Sequence, residues 1–221
     1  MSMRLRAGLS WCVYDDRTVF LDLKRDRYFC LPADCDALFG RWTSGEDDNE
    51  DRLAPLVARR VLEPGHDGDE THIVAPMLPA RDLANEPYQA ARWADIAAAF
   101  AWQMRAKIEL RTARLETIIG RLASPKPPLG KHDISPDEEG RARQIAGAFA
   151  AVMSWLKSAD QCLPRAIAAR RLCDRSGVPS TMIFGVRLHP FSAHCWVQAD
   201  DAVIVGEFEQ ARLYTPILVI S

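Results

Sequence analysis

Pro164 follows Cys162 closely in the run Gln161-Cys162-Leu163-Pro164-Arg165-Ala166-Ile167, and this constrains how the C-terminal part of the chain folds. Proline is tolerated only in the first turn of a helix, and the Ala- and Arg-rich residues beyond it are strong helix formers, so a helix starts at Cys162. A thiol there meets free backbone N–H groups and the positive end of the helix dipole, both of which stabilise the reactive thiolate. Further on, Ser192-Ala193-His194-Cys195-Trp196-Val197-Gln198 alternates as a strand does, with His194, Trp196 and Gln198 on one face and Cys195 on the other. A cysteine opening a helix, followed by an imidazole on a later strand, is an arrangement suited to nucleophilic catalysis.

The strand also selects a partner for the histidine. If Asp200-Asp201 is a two-residue hairpin loop, Ala199 faces Ala202, and counting outward sets His194 across from Glu207. Facing residues lie about 5 Å apart at Cβ, close enough for a carboxylate to hold an imidazole in one tautomer. Asp200 is the alternative acid, although a turn aspartate is most simply a solvated one. Each residue alone has a plainer reading: a cysteine opening a helix is commonly a small buried hydrophobe, and a strand histidine a polar core or surface residue. Their combination points to a site.

The segments Cys162–Arg165, Ile183–Arg187, His189–Gln198 and Tyr214–Val219 resemble the B proteins of lasso-peptide biosynthesis, most strongly over residues 155–221. The resemblance implies a leader-removing cysteine protease with a transglutaminase-like catalytic domain and a Cys/His/Asp triad, two of whose members are Cys162 and His194. The family usually has Asp near the position where this chain has Glu207. A partner is implied too, an asparagine-synthetase-like cyclase, and any use of ATP would belong to that partner, because the chain has neither a GxxxxGK[ST] loop nor a GxGxxG opening a helix after a strand.

The N-terminal residues 1–76 predict strands at Ser10–Tyr14, Val19–Leu23 and Arg27–Leu31, then helices at Ala33–Trp42 and Asp51–Leu62, around an acidic loop at Thr43–Glu50. That order is winged-helix-like and invites a DNA-binding reading. Residues 1–75, however, hold 10 Lys/Arg against 15 Asp/Glu, a poor balance for neutralising phosphates, so no nucleic-acid partner is expected. The hairpin Val19–Pro32 resembles instead the RiPP recognition element fused to many B proteins. The resemblance implies capture of a precursor's leader as an added strand, with Leu21, Leu23, Arg25, Arg27, Tyr28 and Phe29 as candidate contacts. The plainer alternative is a structural hairpin.

The expected fold is α+β: a small winged-helix-like domain (1–76), a helical spacer and loop (77–136), and a papain/transglutaminase-like cysteine protease domain (137–221). In the spacer, Trp93, Ile96, Phe100, Met104, Ile108, Leu115, Ile118, Ile119 and Leu122 form an apolar stripe that reads as core. A loop is expected at Ser124–Gly130. A helix over Asp137–Lys157 should then lay Ile145, Phe149, Val152, Met153 and Leu156 beneath the nucleophile helix.

With a formal net charge of −2, the composition makes no general case for nucleic acid or membranes. Neither a signal peptide nor a bilayer-spanning run is evident, and the six cysteines lack paired CxxC spacing, so reduced thiols and a cytoplasmic location are expected. Cys30 and Cys35 lack a second ligand pair, and His66, His72 and His132 lie in polar surroundings, so no metal and no cofactor are expected.

The chemistry expected is hydrolysis through a thioester at Cys162, with His194 as base and the backbone N–H of Cys162 and, more weakly, the Gln161 side chain as oxyanion donors. Trp196 should shape the pocket wall. Two other classes stay open: acyl transfer to an amine, as in transglutaminases, and a non-catalytic adaptor that delivers a precursor peptide.

Overall fold

The computed structural model describes residues 2–46, 49–65, 78–86, 91–123, 134–155 and 161–221, and chain contacts separate two units, Met1–Ile73 and Val74–Ser221. His66, His72 and His132, the expected loop at 124–130, residues 47 and 48 of the acidic loop and residues 156 and 157 of the expected helix lie outside the described residues.

In the first unit, β1 (Met3–Leu5) precedes a three-stranded antiparallel sheet of β2 (Leu9–Tyr14), β3 (Arg17–Asp22) and β4 (Arg27–Cys30). Asp15 and Asp16 both take positive φ, 45° and 59°, the geometry of the tight turn that suits twisted strands. The second turn is held by Asp22, whose Oδ1 accepts from the N–H groups of Lys24 (3.1 Å) and Arg25 (3.2 Å) while Oδ2 meets Arg6 at 2.6 Å. α1 (Ala33–Thr43) and α2 (Glu50–Ala58) follow, the latter capped by Asn49, and both close on a core containing Phe20, Leu38, Phe39, Leu53 and Leu56.

The second helix stops short of its expected end at Leu62. Arg60 turns into the left-handed region (φ 58°), and Leu62 enters β5 (Leu62–Pro64), which pairs antiparallel with β1. Burying Val61 and Leu62, at 0% and 2% exposure, outweighs continuing the helix.

The second unit is built on a five-stranded sheet in the order β10-β7-β8-β9-β6. Here β6 is Arg81–Asp82, β7 Thr181–Arg187, β8 Ser192–Ala199, β9 Ala202–Val205 and β10 Thr215–Ile220, all antiparallel to their neighbours except β6 beside β9. Its helices are α3 (Trp93–Thr112), α4 (Leu115–Leu122), α5 (Pro136–Trp155), α6 (Cys162–Ser176) and the short α7 (Phe208–Ala211). α6 packs on β7, β8 and β9, and α3 and α5 pack on α6. Of the α5 residues expected beneath α6, Ile145, Phe149 and Val152 are buried and Met153 is half-buried, while Leu156 lies outside the described residues.

The expected spacer is part of this unit. α3 presents Ile96, Ala99, Gln103 and Ala106 inward, while Trp93, Phe100 and Ile108, expected in the core, are 74%, 42% and 62% exposed. Small alanines let α3 approach α6 closely, and this turns the larger stripe outward.

Candidate active site

Cys162 is the first residue of α6, so its N–H has no intrahelical acceptor, and Pro164 falls in the same turn, where its missing N–H costs nothing. The far end of the helix closes on Gly177 (φ 64°), with Val178 N–H donating to Cys173 O at 2.9 Å. Arg170, 3% exposed, fastens the helix to the sheet by donating to the carbonyls of Ser180 and Ile220. The start of α6, where Cys162 sits, is thus firmly anchored.

Cys162 and His194 border one cavity of about 270 Å³, together with Gln161, Arg165, Glu207 and Tyr214. His194 lies on β8 opposite Gly185 of β7, near Trp196 (ring centroids 6.0 Å) and Tyr214 (5.4 Å). Its Nε2 is buried and makes no hydrogen bond to a described residue, which leaves that nitrogen free for a thiol, a substrate or a carboxylate. Burial pulls the imidazole pKa below the ordinary 6.5; Glu207 opposes the shift and Arg165 adds to it.

Glu207 reaches the site by a different route from the one counted. The hairpin begins as expected, with Ala199 facing Ala202 and Gln198 facing Val203. A β-bulge then shifts the register so that Val197 faces Val205, where β9 ends. Gly206 turns at φ 134°, and Glu207 becomes the residue before α7, at the cavity rim instead of directly across the ladder from His194. Asp200 sits in the turn, about 20 Å along the strand from His194 at ~3.3 Å per residue, and does not border the cavity.

Trp196, expected in the pocket wall, does not border the cavity. It is 1% exposed, sits in a core cluster with Ile183, Val203, Ala211 and Tyr214, and donates from Nε1 to Gln198 Oε1 at 3.0 Å. Cys195, 3% exposed, also borders the cavity, but burial pushes its thiol well above the ordinary value, so it stays protonated and unreactive. Gln161 lines the cavity beside Cys162, and its Oε1 accepts from Gln103 Nε2 at 3.2 Å.

Arg165, Tyr214, Ser192 and Gln103 complete the surroundings and were not singled out from the sequence as site residues. Arg165 had a signal, since it lies three residues from Cys162 and therefore on the same helix face. Ser192 Oγ and Tyr214 OH are 2.9 Å apart, a pairing between β8 and the residue before β10 that no local pattern announces.

In the first unit β4 is an edge of its sheet. Of the candidate contacts on the hairpin, Arg25 and Arg27 are exposed, and Leu23, Tyr28 and Phe29 are partly buried. Phe29 stacks on Phe20 at 5.0 Å, with the Arg27 guanidinium 5.6 Å from its ring centre, and Arg25 Nε is 3.9 Å from Asp22. Leu21 is a correction: it lies on the middle strand at 1% exposure and presents nothing to a peptide. Among the described residues no group of three or more His, Cys, Asp or Glu is placed to hold a metal ion, and no helix is long and apolar enough to cross a membrane.

No curated protein and no solved structure matches the chain. The family model described as the transglutaminase-like superfamily matches residues 100–219, which span α6 with Cys162, β8 with His194 and the Glu207 turn. This match covers more than half of the chain, and the protein belongs to the transglutaminase-like superfamily.

Proposed function

We propose that this protein is the leader peptidase of a lasso-peptide pathway, binding the leader of a ribosomal precursor and hydrolysing the leader–core bond through a Cys162 thioester. The observation that carries the reading is the single cavity bordered by Cys162 at a helix start, His194 on the sheet and Glu207 at the rim. A cysteine protease needs these three chemistries in one place.

In this mechanism His194 takes the Cys162 proton as the sulfur attacks the scissile carbonyl, and the N–H of Cys162 donates to the oxygen as charge develops on it. The proton then passes to the departing amine, and water releases the leader acid from the thioester. The low pKa of His194 keeps the imidazole neutral and able to accept. The freed core amine is the group that a partner cyclase of asparagine-synthetase type would acylate. Both partners act in the cytoplasm in this reading.

Leader capture is proposed for the first unit. Its support is the place of β4 at the end of the strand order β2-β3-β4 among the described residues, an edge position that an added strand could extend, and the exposed Arg25 and Arg27 beside it. The deciding experiment is to mix the purified full chain with the short precursor peptide encoded beside it and weigh the products. Two fragments whose masses sum to the precursor plus one water are expected. An amine adduct in place of that water would show acyl transfer, and an unchanged precursor would leave only the adaptor role.

A further inference from the structure

Gln103 lies in the middle of α3, fully buried on the face that this helix turns inward, a place where polar side chains are costly unless fully hydrogen-bonded. Its Nε2 donates to Oε1 of Gln161, which is itself 6% exposed, and its own Oε1 has no partner among the described residues. An unsatisfied buried acceptor loses its hydration with nothing in return, so packing alone does not account for an amide at this position.

The pairing does have a consequence at the site. Gln161 precedes Cys162 and lines the same cavity. With its oxygen held by Gln103, the part of the Gln161 amide left to face the cavity is the NH2 group. The reverse pairing, Gln103 Oε1 accepting from Gln161 Nε2, would turn an acceptor towards the cavity, where it would repel a developing oxyanion.

We infer that Gln103 is a positioning residue, which fixes the Gln161 amide so that its N–H acts with the Cys162 N–H as an oxyanion donor. This deepens the assignment of Cys162 as an acyl-accepting nucleophile but does not depend on the acyl group being a leader peptide. With an activated ester, Sγ bonds to the acyl carbon, the carbonyl π electrons move to oxygen, and the thiol proton goes to His194. Collapse of the oxyanion then expels the alkoxide or phenolate and leaves the thioester.

The test uses the full chain and p-nitrophenyl acetate, reading the burst of p-nitrophenolate that accompanies acylation. Gln161→Ala should slow the burst by roughly 100-fold, the usual loss of one oxyanion donor, and Gln103→Leu by about 10- to 100-fold. In the Gln161→Ala background Gln103→Leu should add almost nothing, because both act through one amide. Alkylation of Cys162 by iodoacetamide builds no oxyanion and should keep its rate in every variant, which also reports that the site is folded.

Gln103→Glu supplies a readout that a packing role would not move. Protonated, its O–H donates to Gln161 Oε1 as the amide did; ionised, it accepts from Nε2 and forces the reverse pairing. The burst rate of this variant should therefore fall as pH rises through the raised pKa of a buried carboxyl, a limb that the parent protein lacks.

An unchanged burst in Gln103→Leu overturns the inference. So does an equal loss with and without Gln161, or a parallel loss of alkylation. A parent protein that gives the burst but leaves every precursor uncut refutes the peptidase reading alone. One that gives no burst refutes the nucleophile as well.

Discussion

Gly206 lies directly against Trp196: a Cβ added to Gly206 would stand 2.6 Å from Trp196 Cβ, with His194 Nε2 3.7 Å away. The backbone there, φ 134°, is one that side-chain-bearing residues rarely adopt. Gly206→Ala should therefore cost about 1–3 kcal/mol in urea denaturation and, by displacing β8 at Trp196, shift His194, so that activity falls further than stability does. Gly120→Ala on α4, where an added Cβ meets nothing within 4 Å, should be neutral or slightly stabilising. Equal effects of the two would mean that Gly206 has no special contact with the site.

Cys162→Ala should abolish precursor cleavage while precursor binding, assigned to the other unit, stays nearly unchanged. Cys195→Ala should keep activity, because burial holds that thiol protonated. Mass spectrometry of digests reads the first effect and fluorescence anisotropy with labelled precursor the second. Cleavage that persists without Cys162, or that disappears without Cys195, would move the nucleophile.

Local signals carried much of the site, and long-range ones were lost. Pro164 announced the start of α6, and Asp200-Asp201 announced the hairpin, because both act within a few residues. The bulge between Val197 and Gln198 was not legible. It depends on fitting Trp196 under Gly206 and Gly185, a contact between three strand regions. Gln103 was hidden for the same reason, since its partner Gln161 is 58 positions away in sequence. In the first unit, alternation located β2, β3 and β4, whereas the β1–β5 ribbon needs residues 3–5 and 62–64 to meet. The apolar stripe of α3 misled because periodicity reports amphipathicity and not which face is buried.

The acid limb of kcat/KM should lie below pH 6.5, since burial holds the His194 pKa down and activity needs the neutral ring. Arg165→Gln removes a cation that lowers it and should shift the limb upward; Glu207→Gln removes the anion that raises it and should shift the limb downward. The same group affects folding. Its folded pKa is below the unfolded one, so its contribution to stability is present above 6.5 and is lost as pH falls through that range. A limb that stays fixed in both variants would assign it to another group.

Binding of the leader should need the edge of β4 and its neighbouring charges. Arg25→Glu and Arg27→Glu, both exposed, should weaken anisotropy-detected binding of an acidic leader by the full chain several-fold, and more at low salt than at high salt. Leu21→Val should act only through stability, because Leu21 is buried on the central strand. A duplex DNA probe should not bind. Equal affinity for leader and DNA would remove the peptide-capture reading.

The acid of the triad can be identified by comparing two residues that are close in sequence but differ in position. Glu207 borders the His194 cavity and raises the imidazole pKa, whereas Asp200 lies in the hairpin turn and gives its backbone oxygen to Gln198 Nε2 at 2.9 Å. Glu207→Gln should keep the fold, loosen control of the imidazole tautomer and lower turnover by orders of magnitude, while Asp200→Asn should leave it almost unchanged. Glu207→Asp is the sharper variant. Because Glu207 enters from the residue before α7 and not from a facing strand, the length of its side chain, and not a ladder register, sets where its carboxylate sits. Turnover of Glu207→Asp should therefore fall between that of the parent and that of Glu207→Gln. Full activity in Glu207→Gln with loss in Asp200→Asn would instead make the turn aspartate the partner of His194.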